Sequence, residues 1–237
     1  MKFGLTQSFA CSYLPQKNEQ LLVFAETEQD LSYRYGQLIQ AGFRRSGDQI
    51  YRPHCPTCDA CQSIRIPVAE FTPSRSQRRV LKRNSHLTTR LSRTPAESYY
   101  PLYERYINAR HTDGSMYPPS REQFDSFILC QWNPPVFIEA WDGDTLVAVA
   151  VTDDITMDEN QRAFSALYTF YAPELAAASM GTWMIMQQIM HGESEGRQYL
   201  YLGYQIDDCT KMNYKSKFLP HERLFDMKWQ KFSSKRA

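Results

Sequence analysis

Between Val136 and Ile206 short apolar runs alternate with turn signals in a fixed order, and that order limits the possible folds more than any other feature. VFIEAWDGDTLVAVAVTDDI reads as a hairpin, two apolar strands joined at Asp142-Gly143-Asp144, a composition suited to a tight reversal. RAFSALYTFYAPEL supplies a third strand that stops at Pro173. Leu175 to Gly192 reads as a helix rich in Ala and Met, and GRQYLYLGYQI as a fourth strand. Strand, strand, strand, helix, strand makes a compact α+β unit around a mixed sheet.

Upstream, PAESYYPLYERYINARH places Tyr99, Leu102, Tyr103, Tyr106 and Ile107 on one side of a helix. LLVFA at 21–25 reads as a buried strand, and SYRYGQLIQAG as a helix closed by Gly42. In IRIPVAEF the alternation of Ile64, Ile66 and Val68 is broken by Pro67, which predicts an edge or half-buried strand. Ser74 to Asn84 reads as a cationic surface helix. The chain divides into 1–95, with a cysteine-rich turn and a basic stripe, and a core over 96–237. The two parts are expected to pack as one unit, because no linker separates them.

The 237 residues are 42% hydrophobic, which excludes a disordered or fibrous chain. No signal peptide or membrane-length apolar run is legible, so the expected setting is the cytoplasm, with neither membrane nor DNA as partner. Thiols stay reduced there, so the six cysteines point to metal or buried thiols rather than disulfides. With a formal charge of +1, nucleic-acid binding must be sought in the charge distribution. No acid lies between Glu70 and Glu97, whereas Arg75, Arg78, Arg79, Lys82, Arg83, Arg90 and Arg93 all do. Such a stripe suits phosphates, or else is a solvated helix face.

Cys55, Cys58 and Cys61 stand at two-residue intervals just after Arg44, Arg45 and Arg52. Zinc usually takes four ligands, and Cys11 or a histidine could complete the set. The other reading is a thiol-lined turn that presents the arginines. His54, His86, His111, His191 and His221 form no catalytic motif.

The strand order resembles the acyltransferase fold of N-acetyltransferases. In that fold the segment from Glu174 to Thr182 would bring a helix N-terminus, with Ser179, Gly181 and Thr182, to an anionic donor. The same segment also reads as small residues packed on a sheet. Five strings then occur in order: GFRRSGDQIYRPHCPTC, SIRIPV, SRSQRRVLKRN, LYTFYAPELAAASMGTW and YLYLGYQIDDCTKMNYKSKFLP. Together they resemble the aminoacyl-tRNA-protein transferases of the N-degron pathway, in particular the short bacterial aspartate/glutamate leucyltransferases. The resemblance implies transfer of leucine from Leu-tRNA to the α-amine of proteins beginning with Asp or Glu. The alternatives are arginyl transfer to the same acceptors, a non-tRNA acyltransferase, and a tRNA-binding protein without catalysis.

That chemistry assigns tasks. An aminoacyl ester is already activated, so orientation and oxyanion stabilisation are needed and no cofactor is required. Tyr168, Tyr204, Lys211 and Tyr214 are the candidates for the reacting centre, with Phe170, Tyr171, Tyr201 and Met212 beside them and Asp207 and Asp208 ranked lower. The acceptor carboxylate needs a fixed cation, from Arg44, Arg45, Arg52 or Arg78. Arg75, Arg79, Lys82, Arg83, Arg90, Ser179, Gly181 and Lys215 are the candidates for tRNA. In the related eukaryotic arginyltransferases cysteine pairs hold a metal or iron-sulfur site. Here Cys11-Ser-Tyr-Leu14 lacks the second cysteine of that pattern.

Overall fold

The computed structural model describes residues 1–26, 31–114 and 116–233. The first elements are β1 (Phe3–Leu5), β2 (Phe9–Ala10), β3 (Asn18–Glu19), β4 (Leu21–Phe24), α1 (Leu31–Gln40), β5 (Arg44–Ser46) and β6 (Gln49–Pro53). The strands β1, β4, β6 and β5 form a four-stranded sheet in that order. Gly42, at φ +86°, turns the chain between α1 and β5.

The chain continues through β7 (Gln62–Pro67), α2 (Arg75–Arg83), β8 (Thr88–Ser92), α3 (Tyr99–Arg110) and α4 (Arg121–Ile128). It ends with β9 (Val136–Asp142), β10 (Thr145–Thr156), β11 (Arg162–Tyr171), α5 (Met180–Ser194), β12 (Tyr199–Gln205), β13 (His221–Phe225) and β14 (Lys228–Phe232). The main sheet has eight strands, in the order β14-β13-β7-β12-β11-β10-β9-β8. The expected hairpin is β9 and β10, turning at Gly143 with φ +55°. On α3 all five residues of the anticipated apolar side are buried.

Two expectations are corrected. β7 is not an edge strand: it lies between β13 and β12, with Ile64 and Ile66 wholly buried. Pro67 is tolerated because it is the last residue of the strand. The helix after β11 does not start at Leu175: Pro173–Ala178 is a 3-10 turn, and Ser179, at φ 60°, redirects the chain into α5. Residues 1–95 contribute both β7 and β8 to the main sheet, so the two parts share it.

The faces of the sheet are covered differently. Gln188 of α5 bonds Thr152 of β10, while Tyr35 of α1 bonds Asp153, the next residue, on the opposite face. Gly36 lets α1 sit directly on β10, because a Cβ there would lie 1.9 Å from the Thr156 carbonyl oxygen. Arg45 Nε and Nη2 close this contact by donating to Asp153 Oδ1 at 2.8 and 2.5 Å. Among the described residues, no helix is long and apolar enough to cross a membrane.

Candidate functional site

The sheet opens where its strands run parallel. β11 and β12 pair only from Ala163–Ser165 to Tyr199–Tyr201, after which β11 follows β10 and β12 follows β7. Arg44 occupies this opening. Its Nη2 donates to the Ala166 carbonyl oxygen at 2.5 Å, and its Nη1 lies 3.3 Å from where a Cβ on Gly203 would stand. Arg44 is only 6% exposed, yet Nη1 has no hydrogen-bond partner among the described residues.

The four acceptor candidates have separate fates. Successive strand residues face opposite ways, so Arg44 enters the opening while Arg45, 2% exposed, is sealed against Asp153, the Gly47 carbonyl and the Ile128 carbonyl. Arg45 is therefore withdrawn as a substrate-reading cation: its donors are used inside the fold. Arg52 lies away from the opening: its Nη1 donates to the Ala41 carbonyl at 3.1 Å and its guanidinium covers the Phe43 ring, while its buried Nε has no partner among the described residues. Arg78 bonds its own helix entrance, at the Pro73 carbonyl, on the α2 surface.

Lys215, in the 3-10 turn Asn213–Lys217, lies within electrostatic reach of Arg44. It is 6% exposed and donates to the Tyr204 carbonyl at 2.6 Å. Burial, and then the Arg44 charge, push its ammonium down to about 7. The Tyr204 hydroxyl donates to the Gly42 carbonyl at 2.9 Å, so it braces the α1–β5 turn, and burial raises its pKa strongly. Tyr204 is thus a wall of the opening, held by an internal bond.

An aromatic wall rises opposite. Tyr168 makes edge contacts with Tyr103, Tyr106 and Phe127 at 6.3, 6.5 and 5.5 Å between ring centroids. Burial raises the pKa of its phenol. Tyr106 lies within electrostatic reach of both Tyr171 and Tyr214, which links the wall to the turn carrying Lys215. Tyr214 remains 37% exposed. His111 Nε2 and the Tyr106 hydroxyl are 3.2 Å apart, a contact that no motif announces. Lys211 is farther out, paired with Asp113 at 3.4 Å on the surface. Asp207 accepts from Arg223 at 2.9 Å.

The cysteine turn comes within electrostatic reach of Lys215 through Cys61. Cys11, Cys55, Cys58 and Cys61, together with Tyr13 and Glu19, line a cavity of about 60 Å³. Burial, then the neighbouring thiols, push Cys61 up to about 12. All four cysteines are free, and Cys55 and Cys58 face each other across an isolated bridge. Among the described residues, no three His, Cys, Asp or Glu side chains are grouped to hold a metal ion. The donor types suit zinc or an iron-sulfur cluster, but their placement does not, and no chemical step below uses a metal.

The cationic stripe divides in two. α2 starts with a capping box, Ser74 accepting from the Gln77 N–H while the Gln77 side chain accepts from the Ser74 N–H. Its far end abuts the entrance of α5: Arg83 donates to the Ala177 carbonyl and Asn84 to that of Ala178. Arg75, Arg79 and Lys82 lie together on the exposed side of α2, the helix whose last turn abuts the α5 entrance. A Cβ on Gly181 would meet nothing within 4 Å, and Ser179 makes no capping bond, so the first N–H groups of α5 remain available. Arg90 is not part of this surface. Thr89 bonds His191 of α5, so Arg90 points to the other face, over Trp141 at 4.8 Å.

Similarity to known proteins extends over nearly the whole chain. Residues 9–79 match the family model described as arginine-tRNA-protein transferase, N terminus, and residues 98–225 the one described as its C terminus. Aspartate/glutamate leucyltransferase of Pseudoalteromonas atlantica is 54% identical over 235 residues, 99% of each chain. The protein of that name from Aeromonas hydrophila is 47% identical over 99% of this chain and 97% of its own. The one from Shewanella oneidensis is 45% identical over 96% and 93%. Among solved structures, the C-terminal domain of a putative lysylphosphatidylglycerol synthetase from Agrobacterium fabrum aligns with 74% of this chain and 52% of that one, at TM-score 0.40 and 13% identity.

Proposed function

Since this chain belongs to the arginine-tRNA-protein transferase family, in its aspartate/glutamate leucyltransferase branch, we propose that its cleft moves leucine from Leu-tRNA to the α-amine of proteins beginning with Asp or Glu. The product is thereby marked for the N-degron route of degradation. The observation that carries the reading is the 54% identity to a leucyltransferase across 99% of both chains.

The acceptor α-ammonium has an ordinary pKa of roughly 8, so a useful fraction is neutral near physiological pH. The neutral amine attacks the ester carbonyl, the C–N bond forms, and a tetrahedral oxyanion develops. Collapse breaks the bond to the ribose oxygen, which takes up the proton the amine has lost. No covalent intermediate with the protein is needed, and the task of the cleft is alignment. The parted β11 and β12, with α5 starting from their open end, support an acyltransferase-like arrangement for this purpose.

Each binding task has a surface. Arg75, Arg79, Lys82 and Arg83 with the α5 entrance take tRNA phosphates. Tyr168 and Tyr214 frame the aminoacyl end. Arg44 takes the acceptor's side-chain carboxylate, being the early arginine that lies between β11 and β12 with a spare donor. The tetrahedral oxyanion is left to N–H groups of the cleft.

The test is transfer of labelled amino acid from Leu-tRNA, or from Arg-tRNA, to peptides starting in Asp, Glu, Lys or Ala, with labelled acetyl-CoA in parallel. Label from Leu-tRNA on the Asp and Glu peptides alone is expected. Label from acetyl-CoA, or none from any charged tRNA, would sink the reading.

A further inference from the structure

We infer that Lys215 reads the acceptor jointly with Arg44: the two form a buried two-cation cradle for the side-chain carboxylate of the incoming N-terminal Asp or Glu. This assignment rests on the transfer reading above and removes Lys215 from the tRNA contacts. The argument starts from charge. Arg44 and Lys215 are each 6% exposed, and among the described residues neither has a carboxylate partner. Burying one unpaired cation is costly, and burying two as neighbours adds their repulsion. That cost is visible at Lys215, which is held down to about 7 by burial and by Arg44.

The donors are also incompletely used. Arg44 spends Nη2 on Ala166 and leaves Nη1 without a partner among the described residues, while Lys215 donates to the Tyr204 carbonyl and, at 3.4 Å, to Met212 Sδ. An ammonium has three donors, so donors remain on both groups. Gly203, at φ +80°, lets the guanidinium lie against the β12 backbone: Arg44 atoms stand 3.3 to 3.7 Å from its missing Cβ, so the glycine holds Arg44 in place between β11 and β12. The surrounding groups do not supply the anion. They include the Tyr51 and Tyr204 phenols and the Cys61 thiol, all near Arg44 or Lys215. The phenols and the Cys61 thiol have raised pKa values and stay neutral. A carboxylate accepting from both cations would satisfy the orphan donor and cancel the repulsion together. An amide of the same shape would leave a cation unpaired, which is how such a cradle rejects Asn and Gln.

Two measurements test this. The first is kcat/KM for Asp-, Glu-, Asn- and Gln-initiated peptides with Leu-tRNA, for the wild type, Arg44→Met and Lys215→Met, with Leu-tRNA affinity measured separately. Each substitution should lower kcat/KM for Asp and Glu peptides on the order of 100-fold, the loss of one charge-assisted bond. The Asp:Asn ratio should narrow by a similar factor while Leu-tRNA affinity holds. If Lys215→Met weakens Leu-tRNA binding and spares the Asp:Asn ratio, Lys215 is a tRNA contact and the inference is overturned. An equal loss for every acceptor would make it a general base instead, which overturns the inference as well.

The second measurement needs neither a variant nor turnover. Wild-type protein at pH 7 is treated with an amine-acetylating reagent, and Lys215 modification is followed by mass spectrometry. Excess Asp peptide should protect Lys215, and Asn peptide should not. Equal protection by both, or no modification of Lys215 without peptide, would overturn the cradle. Absence of leucyl transfer by the wild type would instead defeat the transfer reading, and the protection result would stand apart from it.

Discussion

Arg44 and Arg45 are chemically alike and adjacent, yet one enters the opening of the sheet and the other fastens β5 to β10. Strand alternation produces the difference, but the three-residue β5 is too short for a period to be read from sequence. Asp153→Ala should therefore lower stability by about 3–5 kcal/mol, because Arg45 would remain as an uncompensated buried charge. Denaturant unfolding measures this, and any enzyme still folded should keep its Asp:Asn preference. Lys215 makes a pH prediction. Its folded pKa, about 7, lies below the ordinary value of 10.5, so the unfolded chain binds more protons between them. Stability should accordingly rise with pH from about 7 towards 9. Above 9, Cys61 and Cys130, both pushed up to about 12, act in the opposite sense: their contribution is complete below the ordinary value of 9.0 and is lost as pH rises. Lys215→Met should flatten the 7 to 9 rise in denaturation curves taken across that range. No periodicity marks Lys215 as buried: it stands in a polar string, and only tertiary packing encloses it.

At the scale of elements, α2 is legible because Ser74 and Gln77 stand at capping-box spacing and the apolar content is low. The continuation of the basic stripe into β8 misleads, since a strand sends alternate residues to opposite faces. Arg79→Ala and Lys82→Ala should each weaken tRNA binding and reduce the slope of log affinity against log salt by about 1 for every phosphate no longer neutralised. Arg90→Ala, on the opposite face, should leave both unchanged in the same filter-binding titration. The entrance of α5 escapes sequence reading for a local reason. PELAAAS is rich in helix formers, and nothing in that composition signals the left-handed turn at Ser179. Sequence thus indicates an α5 and a cluster of small residues, but not where the exposed N–H groups begin.

For the molecule as a whole, the succession from β9 to β12 follows from turn chemistry and apolar runs that are local in sequence. The insertion of β7 does not, because pairing partners more than a hundred residues apart leave no mark on either segment. The cleft draws on both parts for the same reason, with Arg44 from the first and Lys215 from the second. Gly36→Val should strike this junction hardest, since even a Cβ meets the Thr156 backbone. A large fall in melting temperature is expected, seen as one transition by both far-UV and near-UV circular dichroism. The two family matches leave residues 80–97 between them, an inviting place to cut the gene. The fold does not come apart there, because the first fragment would leave with an inner strand of the second's sheet. Each half alone would expose a raw hydrogen-bonding edge and seek its complement. A chain severed at 95/96 would behave as a two-component assembly, its activity set by the product of the concentrations of its halves, and the uncut enzyme would hold that association permanently closed.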